Sequence, residues 1–365
     1  MNFNKLTIEE KFGQMIVLGL DTYEINDEII EMIEKYKIGG VVLYKKNYTS
    51  LETMMAFINR LKKINKKNKV PLFIAVDQEN GRVNRFPKEI LQLKSALKQA
   101  KTKNHKLCDM VNEITAYLLS SVGVNMNFAP DLDIVRSEKN KGIGNRSYGS
   151  TKEDVIKYGI PFMQKLQSYN IVSVCKHFPG HGATNIDSHF VIPKIKNLKS
   201  LYKEDMNVFE KAIECGCDAI MVGHLKVKGY GLKPATLNKK IIDDLLIKGL
   251  NYNGLIVTDD LKMNYLRCLH TTKKNIIRSI DAGHNLIMVK YAKGDNNRVY
   301  KKLWEKLKNC EIDLDLVNNS ARKIYDIKNK YDISDRETVN KIDIIAVNEQ
   351  IKKINNIIDK TLGDF

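Results

Sequence analysis

The chain has no run of about 18 apolar residues, so no membrane-spanning helix is expected. Its first fifteen residues, MNFNKLTIEEKFGQM, contain no apolar core of the kind a signal peptide needs, and a cytoplasmic setting is the expectation. Cys215 and Cys217 form a C-x-C pair, but no second pair completes a zinc cage, and the six cysteines read as reduced thiols. No G-x-G-x-x-G follows an early strand, which argues against a doubly wound dinucleotide-binding sheet. Arginine-rich tracts and basic segments interleaved with aromatics are also missing. The net charge of +17 arises from lysines spread over the whole chain among 43 acidic residues. It therefore reads as a solvated basic surface, and nucleic acid is not expected as a partner.

What is present is a repeat of short apolar runs at 15–20, 39–44, 71–77, 124–130, 171–178, 217–224, 254–260 and 285–290. Each is almost continuously apolar, as strands covered on both faces of a parallel sheet must be. Helical spacing fills the intervals. Asn26 is placed to cap a helix carrying Ile29, Ile30, Ile33 and Tyr36 on one stripe, and Ser150 with Glu153 has the spacing of a capping box. Eight such alternations predict an α/β fold, a (β/α)8 TIM barrel over residues 1–330. Ser334 and Glu337 suggest one more cap. Ile344, Ile351, Ile354 and Ile358 keep helical spacing, so 331–365 is expected to form a C-terminal helical extension packed on the barrel.

Barrels of this kind carry their active sites at the C-terminal ends of the strands. Four strands end in residues that would be costly in a core: Asp77 on the third, Lys176-His177 on the fifth, His224 on the sixth and Asp259-Asp260 on the seventh. Strands 1, 2 and 8 offer little that is comparable. His177 and His181 have the i, i+4 spacing of a zinc-binding helix, but Pro179 and Gly180 between them forbid a helix, so no metal is expected. His181 reads as a structural residue of a Pro-Gly turn. Asp187 and His189 can meet on a loop, where the carboxylate would hold the imidazole as an acid/base. Asp259 would be an anchored nucleophile or a charge stabiliser, while Asp260 fits a cap of the next helix.

Four motifs stand in order along the chain: DQENGRVNR at 77–85, NRSYG at 145–149, KHFPGHG at 176–182 followed by DSH at 187–189, and TDDLKM at 258–263. With them the chain resembles the β-N-acetylhexosaminidases of glycoside hydrolase family 3, of the single-domain bacterial type. The resemblance runs from KLTIEEKFGQM through the eighth strand. It implies Asp259 as nucleophile and His189 as general acid/base with Asp187 as its partner. It further implies that Lys176, His177, Asp77, Arg85 and Arg146 bind the terminal sugar, and that no metal or organic cofactor takes part. The family usually has glycine where this chain has Asn80, and asparagine tolerates the backbone angles that glycine would adopt there. Many members also carry a second α/β domain that supplies a carboxylic acid. This chain stops short of one, so His189 is expected to do that work.

The implied activity is removal of terminal β-linked N-acetylglucosamine, with retention of configuration, by a monomer acting on cell-wall turnover fragments. Two other readings stay open at this stage: a phosphorylase using phosphate in place of water, and a non-catalytic sugar-binding barrel.

Overall fold

The computed structural model describes residues 2–137, 140–182, 193–263, 266 and 270–363. The eight apolar runs all become strands: β1 Ile16–Gly19, β2 Gly40–Val42, β3 Phe73–Val76, β4 Met126–Asn127, β5 Val172–Phe178, β6 Ala219–Val222, β7 Leu255–Thr258 and β8 Ile287–Lys290. All pair in parallel. β1 lies between β8 and β2, and the order then runs through β3, β4, β5 and β6 to β7. A parallel bridge from Val257 to Leu286 joins β7 to β8 and closes the ring. Apart from Lys290 at the end of β8, every strand residue is buried, which explains why these runs lack the alternation of a half-exposed strand. The fold is a TIM barrel.

The helices between the strands follow their caps. Asn26 Oδ1 accepts the Ile29 N–H at 3.1 Å and starts Asp27–Glu34, whose Ile29, Met32 and Ile33 are buried. The helix Lys152–Ser168 starts one residue later than the Ser150–Glu153 spacing suggests. Thr151 takes the extended cap conformation, and its Oγ1 accepts the Asp154 N–H at 3.2 Å. Both hydroxyls suit a cap, and the backbone decides between them.

Beyond the barrel, the Ser334–Glu337 cap does not form. Those residues take no regular secondary structure, and Asp335 accepts instead from Asn65 Nδ2 at 2.6 Å and from the Leu72 N–H at 3.2 Å. Asp343 caps the last helix instead, Ile344–Leu362. Its buried Val347, Ile351, Ile354 and Ile358 face Ala96–Lys101 and His105–Ser121. No helix among the described residues is long and apolar enough to cross a membrane.

The end of the barrel where the strands begin is sealed by Lys328, which is completely buried. Its ammonium donates to Gln14 Oε1 at 2.8 Å, the Gly39 carbonyl at 2.7 Å and the Pro71 carbonyl at 2.6 Å. These three acceptors stand just before β1, β2 and β3.

Candidate active site

At the opposite end, a cavity of about 410 Å³ opens among the loops that follow the strands. Asp77, Glu79 and Arg85 reach it from β3, Arg146 from the β4 side, Lys176 and His177 from β5, and Asp259 and Asp260 from β7. The pairing of β5 with β6 shifts between Cys175 and Phe178, and the consecutive Lys176 and His177 both line the cavity. A tight turn follows, with the Gly180 N–H donating to the His177 carbonyl at 2.8 Å and Gly180 at φ 128°. Gly182 passes so close to Ile134 that a Cβ would sit 1.8 Å from its carbonyl oxygen, so glycine is required there.

The charged groups form one network. Lys176 Nζ lies 2.9 Å from Asp77 Oδ1 and 2.5 Å from Glu79 Oε1. Arg146 grips Glu79 with two bonds, Nε to Oε2 at 2.7 Å and Nη2 to Oε1 at 2.8 Å. Arg85 Nη2 stands 3.6 Å from Asp77 Oδ2. Burial favours the neutral form of Glu79, but Arg146 and Lys176 outweigh it and hold the carboxyl well below the usual carboxylate range. Burial likewise opposes the charge on Lys176, and Asp77 with Glu79 holds its ammonium above the ordinary lysine value. Both charges therefore persist at neutral pH.

His177 is fixed from behind. Its Nδ1–H donates to Asp133 Oδ2 at 2.7 Å, and Nε2 faces Arg146 Nη2 at 3.4 Å. Burial and the Arg146 charge push the imidazole down to about 4, so the ring is neutral near pH 7 with a lone pair on Nε2. The other oxygen of Asp133 accepts the His181 N–H at 2.6 Å, which ties the Pro-Gly turn to the same carboxylate. Burial, followed by the neighbouring Asp133, pushes Asp131 up to about 7. Asp131, Asp133 and His177 bring ligand-type atoms within 4.8 Å of one another, a spacing a metal could use. The Arg146 guanidinium already stands 3.4 Å from Asp131 Oδ2 as the cation of that corner.

Asp259 begins the loop after β7. Its Oδ1 accepts the Asp260 N–H at 2.7 Å. Burial raises its carboxyl, but His224, His177, that N–H and Lys176 together hold it below its ordinary value. The stretch after Met263 that Asp260 was expected to cap lies largely outside the described residues. Asp260 Oδ1 accepts the Lys262 and Lys290 N–H groups at 2.9 and 3.0 Å, which pins the β7 loop to the end of β8. His224 lies behind this loop, out of the cavity. It faces Thr236 Oγ1 through Nδ1 at 2.7 Å and donates from Nε2 to the Asp260 carbonyl at 3.0 Å.

The structure thus brings together Asp77, Arg85, Arg146, Lys176, His177 and Asp259 around one cavity. Asp187 and His189 lie outside the described residues. Sequence reasoning missed Glu79, Asp131 and Asp133, although APDLD after the fourth strand carries the same signal of charge at a strand end. It also undervalued strands 2 and 8, whose Tyr44 and Lys290 line the cavity. Asn80 takes φ 70°, the left-handed conformation natural to glycine. Its amide is bonded to Gln78 at 2.8 Å and Thr115 at 3.1 Å.

Comparison with known proteins gives this geometry a family. The model of the glycosyl hydrolase family 3 N terminal domain matches residues 7–327. A beta-hexosaminidase of Photobacterium profundum is 30% identical over 276 residues, covering 75% of this chain and 81% of the relative. One from Vibrio cholerae serotype O1 is 29% identical over 274 residues, covering 74% and 81%. Among solved structures, a family 3 beta-N-acetylglucosaminidase from a Paenibacillus species superimposes with a TM-score of 0.89 at 27% identity, over 96% of this chain and 68% of that one. The chain belongs to glycosyl hydrolase family 3 and is a glycoside hydrolase.

Proposed function

We propose that the chain is a retaining exo-β-N-acetylglucosaminidase that removes a terminal, non-reducing β-linked N-acetylglucosamine. The observation that carries this reading is the position of Asp259. An ionised carboxylate closes β7 and shares one cavity with the Asp77–Lys176–Glu79–Arg146 network. The names of its relatives, beta-hexosaminidases and a beta-N-acetylglucosaminidase, point to the same chemistry.

In this mechanism Lys176, Asp77 and Arg85 bind hydroxyls of the terminal sugar, and the neutral His177 accepts a hydrogen bond from a hydroxyl at Nε2. Arg146 completes the pocket and is held in place by Glu79. An oxygen of Asp259 attacks the anomeric carbon as the bond to the leaving oxygen breaks. His189, protonated and held by Asp187, gives that oxygen its proton. The glycosyl ester on Asp259 is then attacked by water, whose proton passes to His189, and the sugar leaves with its original configuration. The roles of Asp187 and His189 rest on the DSH motif that follows KHFPGHG.

We read residues 1–330 as the catalytic barrel and 331–365 as an extension of it. The protein would act as a cytoplasmic monomer. Its substrates would be cell-wall turnover fragments in which N-acetylglucosamine is linked to muramic or anhydro-muramic acid.

The test is turnover of an aryl β-N-acetylglucosaminide and of the matching β-glucoside, each with and without phosphate. Hydrolysis of the first alone, abolished in a folded Asp259→Asn variant, is expected. A sugar 1-phosphate as product replaces the hydrolase reading with phosphorolysis. A folded Asp259→Asn that keeps more than about a tenth of the activity rules out Asp259 as nucleophile.

A further inference from the structure

Three residues that line the catalytic cavity, Asp77, Glu79 and Arg85, stand on one long loop. Residues 77–95 join β3 to the helix Ala96–Lys101 without a helix or strand of their own. A segment of that length keeps one shape only where outside contacts hold it. Its near end is held from within the barrel. Asn127 on β4 meets both backbone groups of Gln78 at 2.9 Å, and Gln78 Oε1 accepts the Arg85 N–H at 2.6 Å.

The far end is held by the C-terminal helix. Asn348 Oδ1 accepts the Leu91 N–H at 2.8 Å, and its Nδ2 donates to the Glu89 carbonyl at 2.7 Å. Two turns on, Asn355 Nδ2 donates to the Gln92 carbonyl at 2.9 Å. One turn further, Asp359 Oδ2 lies 2.7 Å from Lys94 Nζ. This spacing puts the three residues on one face of the helix, along the edge of its buried apolar stripe. The loop passes the hold inward. The Gly81 N–H donates to the Leu93 carbonyl at 3.0 Å, and the Gln92 side-chain amide donates to the Gly81 carbonyl. Gly81 stands between Glu79 and Arg85 in the chain.

The apolar stripe alone accounts for docking of the helix, since burial is indifferent to how residues 89–93 run. The asparagines fix main-chain positions instead, because an N–H and a C=O two residues apart must both meet one planar amide. The Lys94–Asp359 pair stands partly in solvent and adds little. Asp335 and Lys328 also grip Leu72 and Pro71 at the start of β3, but there the strand is already fixed between β2 and β4. The loop has no sheet to fix it. Its brace lies past residue 327, where the family match ends.

We propose that Asn348 and Asn355 are positioning residues of the active site. The helix Ile344–Leu362 acts through residues 89–93 and Gly81 to hold Asp77, Glu79 and Arg85 where the terminal sugar meets them. The inference rests on the glycosidase reading, in which Asp77 and Arg85 bind that sugar. Without the two asparagines the loop leaves this geometry for part of the time, and apparent affinity falls with the fraction that remains. Contacts to hydroxyls that persist through the reaction act on KM and leave kcat in place.

The test is steady-state hydrolysis of an aryl β-N-acetylglucosaminide, with competitive inhibition by N-acetylglucosamine. Asn348→Ala/Asn355→Ala should raise KM and the inhibition constant together by about tenfold and keep kcat within about twofold. Asn348→Asp keeps the acceptor for the Leu91 N–H and loses the donor to Glu89, so a rise of about threefold is expected. Thr338→Val is the control. It removes the Oγ1 that accepts from Lys62 Nζ at 3.0 Å, which loosens the same extension away from the loop. It should lower the melting temperature and leave KM unchanged.

A purely structural role predicts the opposite split, with kcat falling as the folded fraction shrinks and KM unchanged. That result in the asparagine variants overturns the proposal, as does a Thr338→Val variant whose KM rises as much as theirs. If the double variant does not fold, Asn348→Asp decides alone. A wild type that leaves the aryl substrate intact brings down the glycosidase reading, and this assignment with it.

Discussion

Two buried lysines stand at opposite ends of this barrel, and they are treated differently. Lys176, at the catalytic end, is met by two carboxylates, and its ammonium is held above the ordinary value. Lys328, at the other end, is met by three neutral oxygens, and burial pushes it down to about 7. One fold thus solves the cost of a buried cation in two ways. At the catalytic end the charge is kept, within a network that faces an open cavity. At the closed end the three donors of an ammonium tie together the starts of three strands, and a fixed charge is not needed.

The first consequence is that the two lysines should fail differently. Lys176→Met removes the cation between Asp77 and Glu79, and kcat/KM should fall by about 10²–10³ while a folded protein remains. Steady-state kinetics on an aryl N-acetylglucosaminide, with circular dichroism as the control for folding, checks this. A loss below tenfold would separate Lys176 from substrate binding. Lys328→Met should instead leave the activity of the folded fraction near wild type and cost about 3 kcal/mol of stability, because three buried acceptors lose their partner.

The closed end also predicts a pH dependence. An unfolded lysine holds its proton up to the ordinary value of 10.5, whereas folded Lys328 releases it from about 7. Between these values the unfolded chain binds more protons, so this residue makes stability rise with pH across that window. Urea unfolding at several pH values should show the rise in wild type and its loss in Lys328→Met. Parallel pH profiles for the two proteins would contradict it.

Smaller effects are expected at Asn80. Asn80→Gly relieves a positive φ but removes two buried hydrogen bonds of about 1 kcal/mol each, so stability should change by no more than about 1 kcal/mol. A change above about 2 kcal/mol would mean that its side chain does more than satisfy Gln78 and Thr115. The smallest effect of all should follow a strong chelator. Arg146 serves as the cation beside Asp131, so dialysis is expected to leave the rate unchanged. Activity lost with stoichiometric zinc would assign the Asp131–Asp133–His177 corner to a metal.

The barrel was legible because its signal is local. A strand covered on both faces must be apolar throughout, and eight such runs with helical intervals have few other arrangements. Asp77, Lys176, His177 and Asp259 were legible for the opposite reason, as charges placed where apolar strands end. Glu79 was not, because its meaning lies in Arg146, 67 residues along the chain, and in Lys176, which arrives on another strand. Asp133 is similar: it matters as the acceptor of the His177 Nδ1–H and the His181 N–H, and neither contact leaves a mark in its own neighbourhood. Caps fall between these cases. Asn26 was unambiguous, adjacent hydroxyls at Ser150 and Thr151 were not, and the residues around Ser334 were drawn out of a helix by the hydrogen bonds of Asp335.

The central claim is that Asp259 forms a covalent bond to the sugar, and trapping that bond tests it most directly. A slow fluorinated N-acetylglucosaminyl substrate can be incubated with the protein, the intact mass measured, and the labelled peptide sequenced. The account predicts one added sugar per chain, on the peptide containing Asp259, and no label in Asp259→Asn. A label on another carboxylate, or turnover with inversion of configuration and no adduct, would contradict it.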